Sequence, residues 1–263
     1  MIYKSFVIGL ARKAGKIMRA NFSLGMKKDW KSDNTPLTIT DTSINKLVIK
    51  EIKKNFPEHS LLGEEESMMH NSEYVWVCDP VDGTIPFSHG CPTFMFSLAL
   101  TRNGKSILGV LYDPMMDRMF YAEKGKGAFL NGKRTRVSKA EKLKNKMINL
   151  DADLSFGKIF DPGFRDALMK RDVFAATIYS STYASSLVAC GEFVAEIYTY
   201  DKPWDGAAVK VIVEEAGGRV TDIFGKEQRW DRGINGFIAS NGAVHEKLLQ
   251  LMRVSLRKNG RNH

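Results

Sequence analysis

The chain has 263 residues, 43% hydrophobic and 26% charged, which is enough for a large core and ordinary for a soluble globular protein. No apolar run approaches the ~20 residues of a membrane span, and the three cysteines, Cys78, Cys91 and Cys190, form neither a disulfide framework nor a ligand-spaced metal set. The formal charge of +9 admits an anionic partner such as nucleic acid but does not favour one. Seven basic residues lie between Lys133 and Lys146 against Glu141 alone, and Arg253, Arg257, Lys258 and Arg261 gather at the end, a pattern of solvated surface and frayed tail.

The opening, Met1 to Phe22, interleaves Lys4, Arg12, Lys13, Lys16 and Arg19 with apolar residues and lacks the unbroken apolar middle of a secretory signal, so a reducing, cytoplasmic setting is expected. Within it Phe6, Leu10, Ala14, Ile17 and Met18 recur at helical spacing. Lys31 to Thr38 is a polar, turn-prone connection running into Asp41. Ile44, Leu47, Val48, Ile52 and Phe56 predict a second helix, stopped by Pro57. The pattern then becomes β: Tyr74 to Cys78, Phe94 to Leu100, Ile107 to Tyr112 and Met119 to Ala122, separated by turns at Asn103-Gly104, Asp113-Pro114 and Gly125/Gly127. The basic segment 133–146 marks a boundary, predicting an N-terminal α+β half over 1–140 and a C-terminal α/β half over 141–263. In the second half Phe164 to Met169, Ala184 to Cys190, Trp204 to Ala216 and Val244 to Leu256 read as helices. Val173 to Tyr179, Phe193 to Tyr198, Arg219 to Thr221 and Gly236 to Ala239 read as strands, giving two sheets layered with helices.

The chemistry concentrates in three segments. Trp76-Val77-Cys78-Asp79-Pro80-Val81-Asp82-Gly83-Thr84 places two carboxylates beside a turn rich in backbone N–H groups, which suits a divalent cation holding a phosphate. Gly63-Glu64-Glu65-Glu66-Ser67 precedes it, and Pro203-Trp204-Asp205-Gly206-Ala207-Ala208 lies far downstream. Phosphate-ester hydrolysis by two divalent ions about 3.5–4 Å apart needs several carboxylates, at least one of them bridging. Asp79, Asp82, Asp205 and Glu64 supply that set, with the Val81 carbonyl as a further oxygen. The all-oxygen donors point to Mg²⁺ rather than zinc. Taken singly, each piece has a simpler reading: a capped turn, a solvated acidic loop, and Asp205 as a helix N-cap. Their conjunction outweighs those readings. His89 and His59 read chiefly as polar packing, with His89 the better candidate for a substrate contact. Phe94, Met95 and Phe96 read as core, and Cys78 as a small buried hydrophobe.

In this order the three motifs resemble the inositol monophosphatase family, and the likeness extends through Thr38-Ile39-Thr40-Asp41, Phe56-Pro57-Glu58-His59-Ser60, Gly109 to Pro114, Gly125 to Phe129 and Glu215-Ala216-Gly217-Gly218, covering roughly residues 4 to 250. The resemblance implies the layered αβαβα sandwich shared with fructose-1,6-bisphosphatase. It also implies a lithium-sensitive, Mg²⁺-dependent phosphatase with two or three ions, a small phosphorylated substrate and a homodimer. It assigns Glu64, Asp79 and the Val81 carbonyl to one ion, and Asp79, Asp82 and Asp205 to another, with Glu65 beside the cluster. Gly83 and Thr84 would offer N–H groups to the phosphate, Asp82 and Asp205 would border it, and Thr84 with Asp41 would orient the attacking water. Lys31 falls where the family often has a lysine.

Departures lie on the alcohol side. Pro86 stands where the family commonly has a polar residue, Tyr198 where inositol-specific members have a glutamate, and Ala176 near the place of an arginine. Inositol 1-phosphate is therefore not the expected main substrate. A fructose bisphosphatase, a histidinol-phosphate phosphatase and a 3′-phosphoadenosine nucleotide phosphatase are the enzymatic alternatives, and an RNA- or transcription-complex-binding protein on the same scaffold is the non-enzymatic one.

Overall fold

The computed structural model describes residues 2–32, 35–151 and 162–258. Two sequence expectations lie partly outside these residues: the turn at Asp33-Asn34, and the basic tail, of which Arg261 and the side chains of Arg257 and Lys258 are not described.

Helix α1 (Ile2–Asn21) buries Leu10, Ala14 and Met18 of the expected stripe, with Phe6 and Ile17 half-buried and Val7 buried beside them. Helix α2 (Ile39–Asn55) begins earlier than its apolar period predicts. A capping box explains this: the Thr38 hydroxyl accepts from the helix start while the Thr38 N–H donates to Asp41 Oδ2 at 2.8 Å. Between these helices β1 (Asp29–Trp30) and β2 (Pro36–Leu37) form a small antiparallel pair.

A seven-stranded sheet follows in chain order: β3 (Ser60–Gly63), β4 (Tyr74–Asp82), β5 (Met95–Arg102), β6 (Lys105–Asp113), β7 (Arg118–Glu123), β8 (Gly127–Leu130) and β9 (Lys133–Arg134). Strand β3 runs parallel to β4 and every later neighbour is antiparallel. The β5–β6 hairpin turns at Asn103 (φ 51°) and Gly104 (φ 79°), the doubly left-handed geometry that an Asn-Gly pair favours. A single helical turn, α3 (Thr84–Ser88), leaves the end of β4.

The second sheet uses β10 (Met147–Asp151), β11 (Phe174–Ala176), β12 (Ala195–Tyr198), β13 (Arg219–Thr221) and β14 (Phe237–Ser240) in the order β11-β10-β12-β14-β13. Strand β10 is parallel to β11 and β12, and β14 is antiparallel to β12 and β13. Helices α4 (Pro162–Met169), α5 (Ser181–Ala189), α6 (Ala207–Glu215) and α7 (His245–Lys258) complete the chain.

Three buried clusters define the layers. Trp76, Cys78, Phe96 and Val110 pack under α1 and α2. Val77, Ala99 and Leu111 on the opposite face of the first sheet meet Ala208, Val211 and Ile212 of α6 and Val188 of α5. Ile148, Ile197 and Ile238 on the far face of the second sheet meet Phe164 and Leu168 of α4 and Leu248 and Met252 of α7. The order is therefore helix, sheet, helix, sheet, helix, as expected.

Sequence patterning missed β1, β2, β3, β8, β9 and β10, which are too short for alternation to register. The strand expected over Val173 to Tyr179 is cut to Phe174–Ala176, because Tyr179 adopts φ 60° and turns the chain into the Ser180 cap of α5. The helix expected from Trp204 is a 3₁₀ turn, Pro203–Asp205, followed by α6. All seven cations of 133–146 are exposed, and two of them form β9 at the sheet edge, where charge blocks edge-to-edge pairing. No described helix is long and apolar enough to cross a membrane.

Candidate active site

Asp79 and Asp82 are three positions apart, and in an unbroken strand they would face opposite sides of the sheet. Against β5, however, Asp79 pairs Ser97 and Asp82 pairs Met95, so β4 carries one extra residue there. That bulge, at a proline with no N–H to give the ladder, returns both carboxylates to one face. Its geometry is braced by the Val81 N–H donating to Asp79 Oδ1 at 2.9 Å. The parallel neighbour β3 ends beside it, since Gly63 pairs Cys78 and the Glu64 N–H donates to the Cys78 carbonyl at 3.1 Å. Glu64 thereby enters hydrogen-bonding reach of Asp79.

Asp205 arrives from the other half of the chain. Gly206 rather than Asp205 is the N-cap of α6, and it makes no side-chain cap. The Asp205 carboxylate turns instead to Asp79 and Asp82, and the three offer oxygens that all lie within 4.8 Å of one another. The simple capping reading of Asp205 is thus set aside.

Around this trio the outer oxygens are held by fixed donors. Asp82 Oδ2 accepts from Ser180 Oγ at 2.5 Å, from the Thr182 N–H at 2.9 Å and from Thr182 Oγ1 at 2.5 Å, all at the start of α5. Asp205 Oδ2 accepts from the Tyr198 hydroxyl. Glu64 and Glu65 both accept from Lys31 Nζ, at 2.7 and 2.5 Å, whereas Glu66 is exposed. The expected acidic loop is therefore half engaged and half solvated.

Asp41 is fully buried, with Oδ2 committed to Thr38 in the α2 cap and Oδ1 lying 3.2 Å from Thr84 Oγ1. The same hydroxyl lies 2.9 Å from the Val81 carbonyl, an oxygen with two lone pairs. Gly83 holds φ 87° as N-cap of α3, leaving the N–H groups of the first turn without intrahelical acceptors. At five residues α3 has little dipole of its own, so any anion there would be held by local N–H groups rather than by the helix as a whole.

The remaining sequence candidates lie elsewhere. His89 closes α3, with Nδ1 2.8 Å from the Ile85 carbonyl and Nε2 3.0 Å from Lys28 Nζ, so both ring nitrogens are engaged away from the carboxylates. His59 is stacked between Phe56 and Tyr74. Pro86 is buried in the first turn of α3, where its missing N–H costs nothing.

The electrostatics ask for a cation. Burial, then Glu64, Asp205 and Asp82 in turn, push the Asp79 carboxyl well above the usual carboxylate range. Burial and then Asp82 do the same to Asp205. Burial also raises Asp82, against the lowering effect of its Ser180 and Thr182 hydrogen bonds. Burial raises Asp41 to about 6. Such crowding of anions is relieved by a divalent ion, and the donors are all oxygen, so the residues present fit magnesium.

Sequence reasoning did not find Ser180 and Thr182. Ser180, Ser181 and Thr182 stand in a row before Ala184, but nothing in the sequence names Asp82 as their partner. Nor did it find a buried acidic pair behind Tyr198. Glu196, fully buried, sits beside Asn149 in the β10–β12 register, and Asp151 sits beside Tyr198. Burial, then the Asp82 charge, raise Asp151 to about 7, while burial and then Asp151 hold Glu196 well above its ordinary value.

Carboxylates converging for a divalent cation, next to an N–H-lined turn and a Thr–Asp pair, define a metal-dependent hydrolase of phosphate monoesters. Comparison with known proteins agrees. The inositol monophosphatase family model matches residues 3–257. A Thermotoga maritima protein named fructose-1,6-bisphosphatase/inositol-1-monophosphatase is 33% identical over 249 residues, covering 94% of each chain. A solved structure of the Thermotoga maritima IMPase superposes with a TM-score of 0.89 at 32% identity, covering 98% of this chain and 99% of that one. An IMPase/NADP phosphatase solved with Mg²⁺ and phosphate gives 0.84 at 26% identity, covering 95% and 94%. The chain belongs to the inositol monophosphatase family, and it is a magnesium-dependent phosphatase.

Proposed function

We propose that the protein hydrolyses a small singly phosphorylated polyol or sugar by attack of a water positioned at Thr84 and Asp41. The observation that carries this is the meeting of Asp79, Asp82 and Asp205 within 4.8 Å beside the Thr84–Asp41 contact. Glu64, Asp79 and the Val81 carbonyl would hold one magnesium ion, and Asp79, Asp82 and Asp205 a second. When bound, the ions supply charge neutralisation of the phosphate oxygens and a lowered pKa for a coordinated water.

The chain's own groups do the rest. With its one proton donated to Asp41 Oδ1 rather than to the Val81 carbonyl, the Thr84 hydroxyl keeps a lone pair that accepts a proton from the attacking water as it releases its own to Asp41. Asp41 Oδ1 receives the proton that this pair passes on. Its raised pKa of about 6 keeps it mostly ionised at neutral pH while making it a better base than a solvated carboxylate. The N–H groups at Gly83 and Thr84 would hold phosphate oxygens, with Asp82 and Asp205 bordering them.

Around Tyr198, Asp151 is its register partner on β10 and Glu196 is buried two residues before it, while Lys202 is paired with Asp201 at 3.6 Å. None of these four residues offers a free cation to a second phosphate, which supports a monophosphate of a neutral polyol over a bisphosphate. We further infer a homodimer of cytoplasmic chains, each with two halves meeting near residue 140, in keeping with the family resemblance.

A panel of phosphomonoesters assayed with Mg²⁺ tests the reading, with inositol phosphates, fructose bisphosphate, histidinol phosphate and 3′-phosphoadenosine nucleotide included. Sugar or polyol monophosphates should turn over fastest, and Asp82→Asn should abolish magnesium-stimulated phosphate release while leaving the fold intact. Near-normal turnover in that variant would remove the mechanism, and a preference for bisphosphates would remove the substrate assignment.

A further inference from the structure

Tyr198 ends β12 with its ring stacked on Phe237, centroids 4.9 Å apart and planes 21° from parallel, and tilted against Tyr200 at 5.2 Å. It is 4% exposed, and its hydroxyl donates to Asp205 Oδ2. A ring packed this way on a central strand cannot swing, so the phenol oxygen is a fixed point. Asp205 has the opposite character. It sits in a short 3₁₀ turn, caps no helix, and is repelled by Asp82 and Glu64. Without an anchor its carboxylate would rotate away from its neighbours.

We propose that Tyr198 is a positioning residue for the cation centre: its hydroxyl pins Oδ2 of Asp205 and leaves that carboxylate's other oxygen to a divalent ion shared with Asp79 and Asp82. This rests on the magnesium-phosphatase reading above. The hydroxyl is thereby spent on the protein, so Tyr198 does not take over the role of the glutamate that inositol-specific members carry at this place. Asp82 shows the same arrangement from the other side, with Oδ2 taken by Ser180 and Thr182. Two of the three convergent carboxylates are thus each held by one oxygen and offered by the other. Outer partners of this kind typically change metal affinity by about 10–100-fold when removed.

Tyr198→Phe separates the hydroxyl from the ring, because the stack on Phe237 is kept and only the donor is lost. Magnesium titration by calorimetry, with thermal unfolding in the absence and presence of Mg²⁺, provides readouts independent of turnover. The expected result is a metal-free melting temperature close to wild type, a magnesium dissociation constant weakened by about tenfold or more, and turnover that recovers as Mg²⁺ is raised with little change in substrate KM. In an Asp205→Asn background the same change should cost nothing further, since the two groups act as one unit. A wild-type magnesium affinity in Tyr198→Phe, or an equal added loss in the Asp205→Asn background, would overturn the positioning role while leaving the phosphatase intact. A metal-free melting temperature that falls with no change in magnesium affinity would also overturn it, in favour of a packing role. If the wild-type chain itself neither binds Mg²⁺ nor releases phosphate, the underlying reading falls and the proposal with it.

Discussion

Thr182 holds Asp82 across 100 residues of chain, its N–H 2.9 Å and its hydroxyl 2.5 Å from the same carboxylate oxygen. This contact joins the two halves of the site, because Asp82 ends a strand of the first sheet and Thr182 opens a helix lying between the sheets. Thr182→Val keeps the shape and the N–H but removes one of three donors. The expected loss is about 1 kcal/mol of stability, the usual worth of a hydrogen bond or slightly more for a charged acceptor. Half-saturation by magnesium should rise severalfold, as read by urea unfolding and by metal titration. An unchanged titration would mean that Ser180 and the N–H alone orient Asp82.

Asp79 lies at the centre of the like-charge cluster, and its ionisation in the metal-free fold is opposed by burial and by three neighbouring carboxylates. A carboxyl whose folded pKa is raised above its unfolded value favours the unfolded state at neutral pH, where the unfolded chain has released that proton. Asp79→Asn should therefore raise metal-free stability while eliminating stabilisation by magnesium. For wild type that stabilisation is about 2.7 kcal/mol when the ion is at a hundred times its dissociation constant. Unfolding curves in EDTA and in Mg²⁺ give both numbers, and a variant less stable than wild type in EDTA would contradict the repulsion argument.

Gly83 stands where no other residue fits. Its φ is 87°, and an added Cβ would lie 2.8 Å from the Thr93 carbonyl oxygen and 2.9 Å from the Ser180 Cβ. Gly83→Ala should cost about 1–3 kcal/mol from backbone strain and should lower turnover by displacing the first N–H groups of α3. Thermal unfolding and phosphate release measure the two effects. Full activity in this variant would show that the turn is not part of the phosphate site.

His245 gives a pH dependence remote from the metal centre. It is fully buried, with Nε2 2.9 Å from Thr221 Oγ1 and Nδ1 2.8 Å from Ser240 Oγ. Thr221 can spend its own proton on the Asp222 carbonyl at 2.8 Å, so it accepts from Nε2–H and leaves Nδ1 as the acceptor for Ser240. Burial, then the Arg219 charge, depress the imidazole pKa to about 4 from 6.5. Between those values the unfolded chain binds a proton that the folded chain does not, so stability falls with falling pH by about 1.4 kcal/mol per unit, roughly 3 kcal/mol in all. His245→Gln should flatten that part of the profile, measured by urea unfolding between pH 7 and 4. An unaltered slope would assign the acid sensitivity to other groups.

The residues proposed to supply the chemistry were legible in the chain because they are local. Asp79-Pro80-Val81-Asp82-Gly83-Thr84, Glu64 with Glu65, and Trp204-Asp205 each carry their meaning in spacing and residue type, and helices α1, α2 and α6 show in their 3.6-residue period. The layered fold follows from the same periods, since each apolar face must find a partner. What spacing could not reveal is which outer oxygen each carboxylate commits. That Asp82 leans on Ser180 and Thr182, that the Tyr198 hydroxyl goes to Asp205 rather than to a ligand, and that Glu196 and Asp151 lie buried behind it all depend on strand register and on where α5 begins. Register is set by the summed burial of two sheets and the helices between them, a property of the whole packed chain that no short segment encodes. Local sequence thus determined the kind of reaction, and tertiary packing decided the geometry in which its carboxylates are held.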